Sequence, residues 1–145
     1  MRYAKQAVLF VAVLVWAVSF IGLANAAEKC PLCGMNMAGN ENTAYEVTMA
    51  DGKKVTYCCP HCGLWVQAKE KVKSAKARDF ISGEWMDPHK MVFLSGSTAV
   101  PACAPSWIGF GSKAEAEKFK KGFGGTIYSF DEALKERVKQ PMGMQ

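Results

Sequence analysis

The sequence predicts an α+β domain built as two ββα halves, set behind an N-terminal signal peptide and extended by one further strand and helix. Three observations carry this prediction. In the first half two strand-like runs flank an Asp51-Gly52 turn, and apolar residues at helical spacing follow them. In the second half the same order of patterns returns, without the same letters. Ahead of both lies a three-part export signal.

The signal comes first. Arg2 and Lys5 give a positive start, residues 7–23 form an uncharged apolar run, and Ala24-Asn25-Ala26 is a small-x-small cleavage site. Cleavage after Ala26 is the expectation, which places the chain in the periplasm or another extracytoplasmic compartment. Left uncleaved, residues 7–23 are near the lower length limit for a spanning helix and would associate the chain with a membrane. No lipoprotein-type box precedes Cys30. Removing Arg2 and Lys5 lowers the formal net charge from +5 to +3. That balance is mild, the lysines are scattered, and no basic stripe interleaved with aromatics speaks for nucleic acid.

What remains is one domain's worth of chain, expected over residues 27–140, with halves at about 43–78 and 89–123 and a flexible tail at 141–145. Thr43 to Met49 reads as a strand, and Lys53 to Cys58 as its hairpin partner, with Val55 and Tyr57 on one face. Pro60 suits the first position of a helix, which Leu64, Trp65, Ala68, Val72 and Ala75 continue at helical spacing. Phe80 to Pro88 is a connector punctuated by Ser82-Gly83 and Asp87-Pro88. Met91 to Leu94 and Trp107 to Phe110 read as strands. Ser112 to Glu115 is a capping box opening a helix with Ala116, Phe119 and Phe123 on one side, and Gly122, Gly124 and Gly125 stop it. Thr126 to Phe130 is the added strand. A second capping box, Ser129 to Glu132, opens the terminal helix through Leu134 and Val138.

The chemistry lies in sulfur. Residues 30–35 read C-P-L-C-G-M, residues 58–62 read C-C-P-H-C, and Cys103 stands alone between Pro101 and Pro105. A CxxC loop lets Cys30 and Cys33 converge on one ion, and Gly34 permits the tight backbone of such a knuckle. Met35 adds a thioether, which favours soft Cu(I) over a hard ion. Cys59 falls at the N-cap of the first helix and Cys62 in its first turn, where exposed N–H groups and the helix dipole stabilise thiolates. His61 offers an imidazole. Cys58, still on the strand, is expected to point away from Cys59.

Several chemistries fit these groups. The strand–C-P-H-C–helix order is that of thioredoxin-class thiol–disulfide oxidoreductases, with Cys59 as nucleophile and Cys62 as its partner, although too little structure precedes the strand for most such folds. Cys30, Cys33, Cys59 and Cys62 could form a four-thiolate Zn(II) site around the hairpin. In an oxidising compartment an even set of six cysteines could also pair as disulfides, giving a stapled binding module. Cys103 has no local partner, so it must pair or share a metal with the first half. Met49, Met86 and Met91 read as packing, His89 as a surface residue, and Met142 and Met144 as part of the tail.

C-P-L-C-G-M, D-F-I-S-G-E-W-M-D at 79–87, Gly96-Ser97, and the segment from Trp107 to Gly125 together resemble the NosL family, in order and over nearly all of the exported part. The resemblance implies a NosL-like fold of two ββα halves. It implies a non-enzymatic Cu(I)-binding accessory protein that supplies a periplasmic copper enzyme, nitrous oxide reductase or another cuproenzyme. It implies copper held by Cys and Met sulfur from both halves: Cys30 or Cys33 with Met35 from the first, and Cys103 where the family carries a methionine. Replacing that thioether by a thiolate tightens binding and brings Zn(II) into competition. The C-C-P-H-C insert departs from the family pattern, and leaves Cys58, Cys59, His61 and Cys62 as a second metal site or a redox partner of the first.

Overall fold

A computed structural model describes residues 29–141, so the signal segment and the last four residues lie outside the described residues. Strand β1 (Tyr45–Met49) turns at Asp51-Gly52 into β2 (Lys54–Tyr57). The Asp51 side chain accepts from the Lys53 N–H at 2.9 Å, and Gly52 takes φ +88°, which a side chain would resist. Helix α1 (Pro60–Lys69) follows with Pro60 in its first turn. Strand β3 (Val72–Arg78) returns beside β1, and a two-residue strand β4 (Trp85–Met86) pairs with β3. The sheet order is β2-β1-β3-β4, all antiparallel.

The second half runs β5 (Val92–Ser95), β6 (Trp107–Phe110), α2 (Lys113–Phe123), β7 (Thr126–Ser129) and α3 (Phe130–Arg137). Its sheet order is β6-β5-β7, again antiparallel with the first strand in the middle. Mixed helix and antiparallel sheet is the class the sequence predicted. The repeat goes further than the sequence showed, because each half is ββαβ. The strand expected as a C-terminal addition, β7, is the third strand of the second unit.

Its counterpart, β3, corrects an expectation. Val72 and Ala75 continue no helix, since Glu70 at the end of α1 is already extended, with φ −112° and ψ 162°. Val72 pairs with Met49 and Ser74 with Thr48, so the register shifts at Lys73. That irregularity adds one residue to β3 and separates two same-face apolar residues by three positions in place of two. A bulged strand thereby imitates a helical period. The Ser112 box is a second correction: Ser112 is the N-cap of α2 but makes no side-chain cap bond, whereas the Ser129–Glu132 box closes in both directions.

The apolar faces explain how the halves meet. Tyr45, Val47, Tyr57 and Ala77 of the first sheet share one core with Phe93 and Trp107 of the second. The opposite face of the second sheet, with Leu94, Ile108 and Phe110, packs on Ala116 of α2. The second sheet is thus covered on both faces, which is why Trp107–Phe110 is buried at all four positions. Among the described residues no helix is long and apolar enough to cross a membrane.

Candidate metal centre

The shared core contains all six cysteines. Cys30 and Cys33 stand on a knuckle closed by hydrogen bonds from the Cys30 N–H to the Met35 carbonyl (2.7 Å) and from the Gly34 N–H to the Cys30 carbonyl (2.9 Å), with Gly34 at φ +76°. Met35 is half-buried against the core. Strand β2 ends at Tyr57, so alternation lapses before Cys58. The Thr43 hydroxyl, donating to the Cys58 carbonyl at 2.7 Å, fixes the backbone there. Cys59 occupies the N-cap position of α1, without a side-chain cap bond, and Cys62 lies in its first turn. Cys103 arrives from the other half on the 96–106 loop, pinned by the Gly96 N–H to the Ser106 carbonyl (3.1 Å) and the Ser106 hydroxyl to the Ala99 carbonyl (2.8 Å).

The sulfurs form a continuous cluster. Cys58 Sγ lies 3.5 Å from Cys33, 3.4 Å from Cys103, 3.6 Å from Cys59 and 3.8 Å from Cys62. Cys103 is also 3.6 Å from Cys33 and 4.0 Å from Cys62. Two groups of four, Cys30/Cys33/Cys58/Cys62 and Cys58/Cys59/Cys62/Cys103, each keep every sulfur within 4.8 Å of the rest. A tetrahedral ion with metal–sulfur bonds of about 2.3 Å needs sulfurs about 3.8 Å apart. The cluster already has that spacing, so its donors fit a thiophilic ion. Cys58 does not point away from Cys59, as the strand reading expected; it is the hub. The sulfurs assigned from sequence to two sites lie in one.

Five of the six thiols are buried, and Cys33 alone is partly exposed. Their protons are shared unequally. Hydrogen bonds from Cys58 foremost, then from other cluster thiols, hold Cys30 and Cys103 well below the ordinary thiol range. Cys103 first, then Cys30, push Cys58 and Cys62 well above it. Burial raises Cys33. Cys103 also pushes Cys59 up, but Cys58 and Cys62 together outweigh it and leave Cys59 lowered.

His61 is fully buried behind the thiols. Its Nδ1 lies 4.0 Å from Cys62 Sγ and 3.4 Å from Arg137 Nη2, and its Nε2 has no hydrogen-bond partner among the described residues. The sequence reading missed Arg137. This fully buried cation on α3 donates from Nε to the His61 carbonyl at 2.7 Å and from Nη1 to the Gln140 carbonyl at 3.0 Å. Burial lowers its pKa, against the opposing pull of Cys62, Cys59 and Cys103. The signal was present: Phe130, Ala133 and Arg137 are the buried positions of α3, at spacings of three and four residues.

Comparison with known proteins agrees with this architecture. A crystal structure described as the copper chaperone NosL from Shewanella denitrificans superposes with a TM-score of 0.63 at 21% identity, covering 77% of this chain and 92% of that one. An HTH-type transcriptional repressor, CutR of Bacillus subtilis (strain 168), is 31% identical over 85 residues, 57% of this chain but only 45% of the repressor. The chain therefore spans less than half the length of that relative. The family model NosL matches residues 23–138, most of the chain, and the protein belongs to the NosL family.

Proposed function

We propose that the protein is an exported Cu(I)-binding metallochaperone, without bond-making catalysis, that passes copper to an extracytoplasmic copper enzyme such as nitrous oxide reductase. The observation that carries this reading is the convergence of cysteine sulfurs from both halves: Cys33, Cys58, Cys59, Cys62 and Cys103 each lie 3.4–4.0 Å from at least one other of the five, and Cys30 lies within 4.8 Å of Cys33, Cys58 and Cys62. Soft thiolates without carboxylate suit Cu(I). Membership of the NosL family and the name of the superposed chaperone support the same metal.

Cys33 and Cys103 are the core ligands in this reading, with Cys30 and Met35 assisting. Cys33 and Met35 sit at the partly exposed rim, where an incoming or departing ion meets sulfur before the buried thiols. Stepwise ligand exchange from rim to interior lets a tight site still release its cargo to a competing thiolate or thioether. Zn(II) is the competing ion, because an all-thiolate set also suits it. The oxidoreductase reading is disfavoured by burial: Cys59 and Cys62 are 1% and 0% exposed, and an exchange nucleophile must reach a partner's disulfide.

Titration of the reduced, metal-free protein with Cu(I) against a competing chelator tests the proposal. Tight binding is expected, weakened at least tenfold in the Cys33→Ser/Cys103→Ser variant. Equal, weak binding by both proteins would refute it. Zinc co-purifying without added metal, and not displaced by Cu(I), would favour a structural Zn(II) module.

A further inference from the structure

The copper-binding reading leaves the number of ions open. A four-coordinate ion uses four of the six sulfurs. The two groups of four in the cluster have Cys58 and Cys62 in common, and together they contain every cysteine of the chain. Two tetrahedra that share an edge have six corners, which is the count found here. Cys58 and Cys62, both 0% exposed, form the shared edge and are 3.8 Å apart, the edge length of about 3.8 Å that metal–sulfur bonds of about 2.3 Å require.

Resting on that reading, we propose that the six cysteines bind two ions as one thiolate-bridged pair. Cys58 and Cys62 bridge, Cys30 and Cys33 complete one ion, and Cys59 and Cys103 complete the other. One Cu(I) bound by four thiolates leaves three negative charges in the core, and uncompensated buried charge is expensive. Two Cu(I) on six thiolates leave four, spread over a larger cluster, and the buried Arg137, which donates to the His61 carbonyl beside the thiols, offsets part of that charge. Two ions side by side also require Cys33 and Cys103, now 3.6 Å apart, to separate. Cys33 can make that movement, because it is the partly exposed member and stands on the N-terminal knuckle.

Stepwise addition of Cu(I) to the reduced protein without oxygen, read by native mass spectrometry and X-ray absorption, tests the pair. Two ions per chain are expected, with sulfur neighbours and a metal–metal vector. Cys30→Ser/Cys33→Ser and Cys59→Ser/Cys103→Ser should each retain one ion and lose the metal–metal vector. The first of these alters only the knuckle ahead of β1, so it tests the inference even if changes inside α1 impair folding. A wild-type end point of one ion, or of three or more, overturns the bridged pair while leaving the copper reading standing. So does a metal–metal vector that persists in Cys58→Ser/Cys62→Ser. Absence of Cu(I) binding overturns both.

Discussion

Arg137 shows at the residue scale how the polar part of the centre is held. Its guanidinium is 5.1 Å from the Trp65 ring centroid, and its donors reach the His61 and Gln140 carbonyls. The Trp107 indole N–H donates to the Gln140 side chain at 2.8 Å, so the end of α3 is tied to β6 as well. Hydrogen bonds from a charged donor are worth about 1.5–3 kcal/mol each. Arg137→Met should therefore lower the unfolding free energy of the reduced, metal-free protein by at least about 2 kcal/mol, measured by urea denaturation. Arg137→Lys should recover little of the loss, since a lysine lacks the planar fork that serves two carbonyls at once. An unchanged denaturation midpoint in Arg137→Met would show that these bonds do not hold the helix end.

The contact between α1 and the first sheet decides the element scale. A Cβ on Gly63 would fall 2.2 Å from the Tyr45 ring, and Tyr45 is fully buried on the central strand. Helix propensity alone favours Ala over Gly by about 1 kcal/mol. Overpacking of a rigid aromatic costs about 1–3 kcal/mol and more when nothing can yield. Gly63→Ala should thus destabilise by at least about 1 kcal/mol, seen as a lowered Tm, and, under the proposed Cu(I) function, should weaken metal binding because α1 carries Cys62. A raised Tm would show that propensity wins. Most elements were legible in the sequence because their apolar period or turn chemistry is local: Asp51-Gly52, Pro60 and the Ser129–Glu132 box each settle their own segment. β3 was not. Its bulge at Lys73 is defined only against the partner strand, and a spacing of three reads equally as helix.

On the scale of the whole molecule, Asp79 joins the halves. Its carboxylate accepts from the Ser82 N–H (3.0 Å) and hydroxyl (2.7 Å) within the β3–β4 loop, and from the Gly111 N–H (3.0 Å) beyond β6. The Phe80 N–H bonds the Gly109 carbonyl at 3.0 Å alongside. A Cβ on Gly111 would strike Met86 Sδ at 2.4 Å, so glycine there lets the two halves close on each other. Burial pushes the Asp79 carboxyl up, but the hydrogen bonds outweigh it and leave its pKa below the ordinary carboxylate value. A folded-state pKa below the unfolded one contributes stability above the unfolded value of about 3.9, and that contribution is lost as pH falls through the folded value. Asp79→Ala should therefore cost about 1.5–3 kcal/mol near neutral pH, with the gap from the parent closing as the solution is acidified below about pH 4. Paired urea titrations at several pH values check this, and a gap independent of pH would remove the carboxylate from the account.

The sequence by itself determined the class of the fold, the order of most elements and the identity of the sulfur donors. Those follow from local periodicity, turn residues and residue chemistry. Only the tertiary structure decided that Cys58 faces Cys59, that C-P-L-C and C-C-P-H-C share a centre with Cys103, and that Arg137 stands against it. The reason is physical. Burying the apolar faces of both sheets in one core brings residues 33, 58 and 103 within 3.6 Å of one another at the sulfurs, although 25 and 70 positions separate Cys33 from its two neighbours. No period or spacing along the chain records a distance created by two sheets closing on each other.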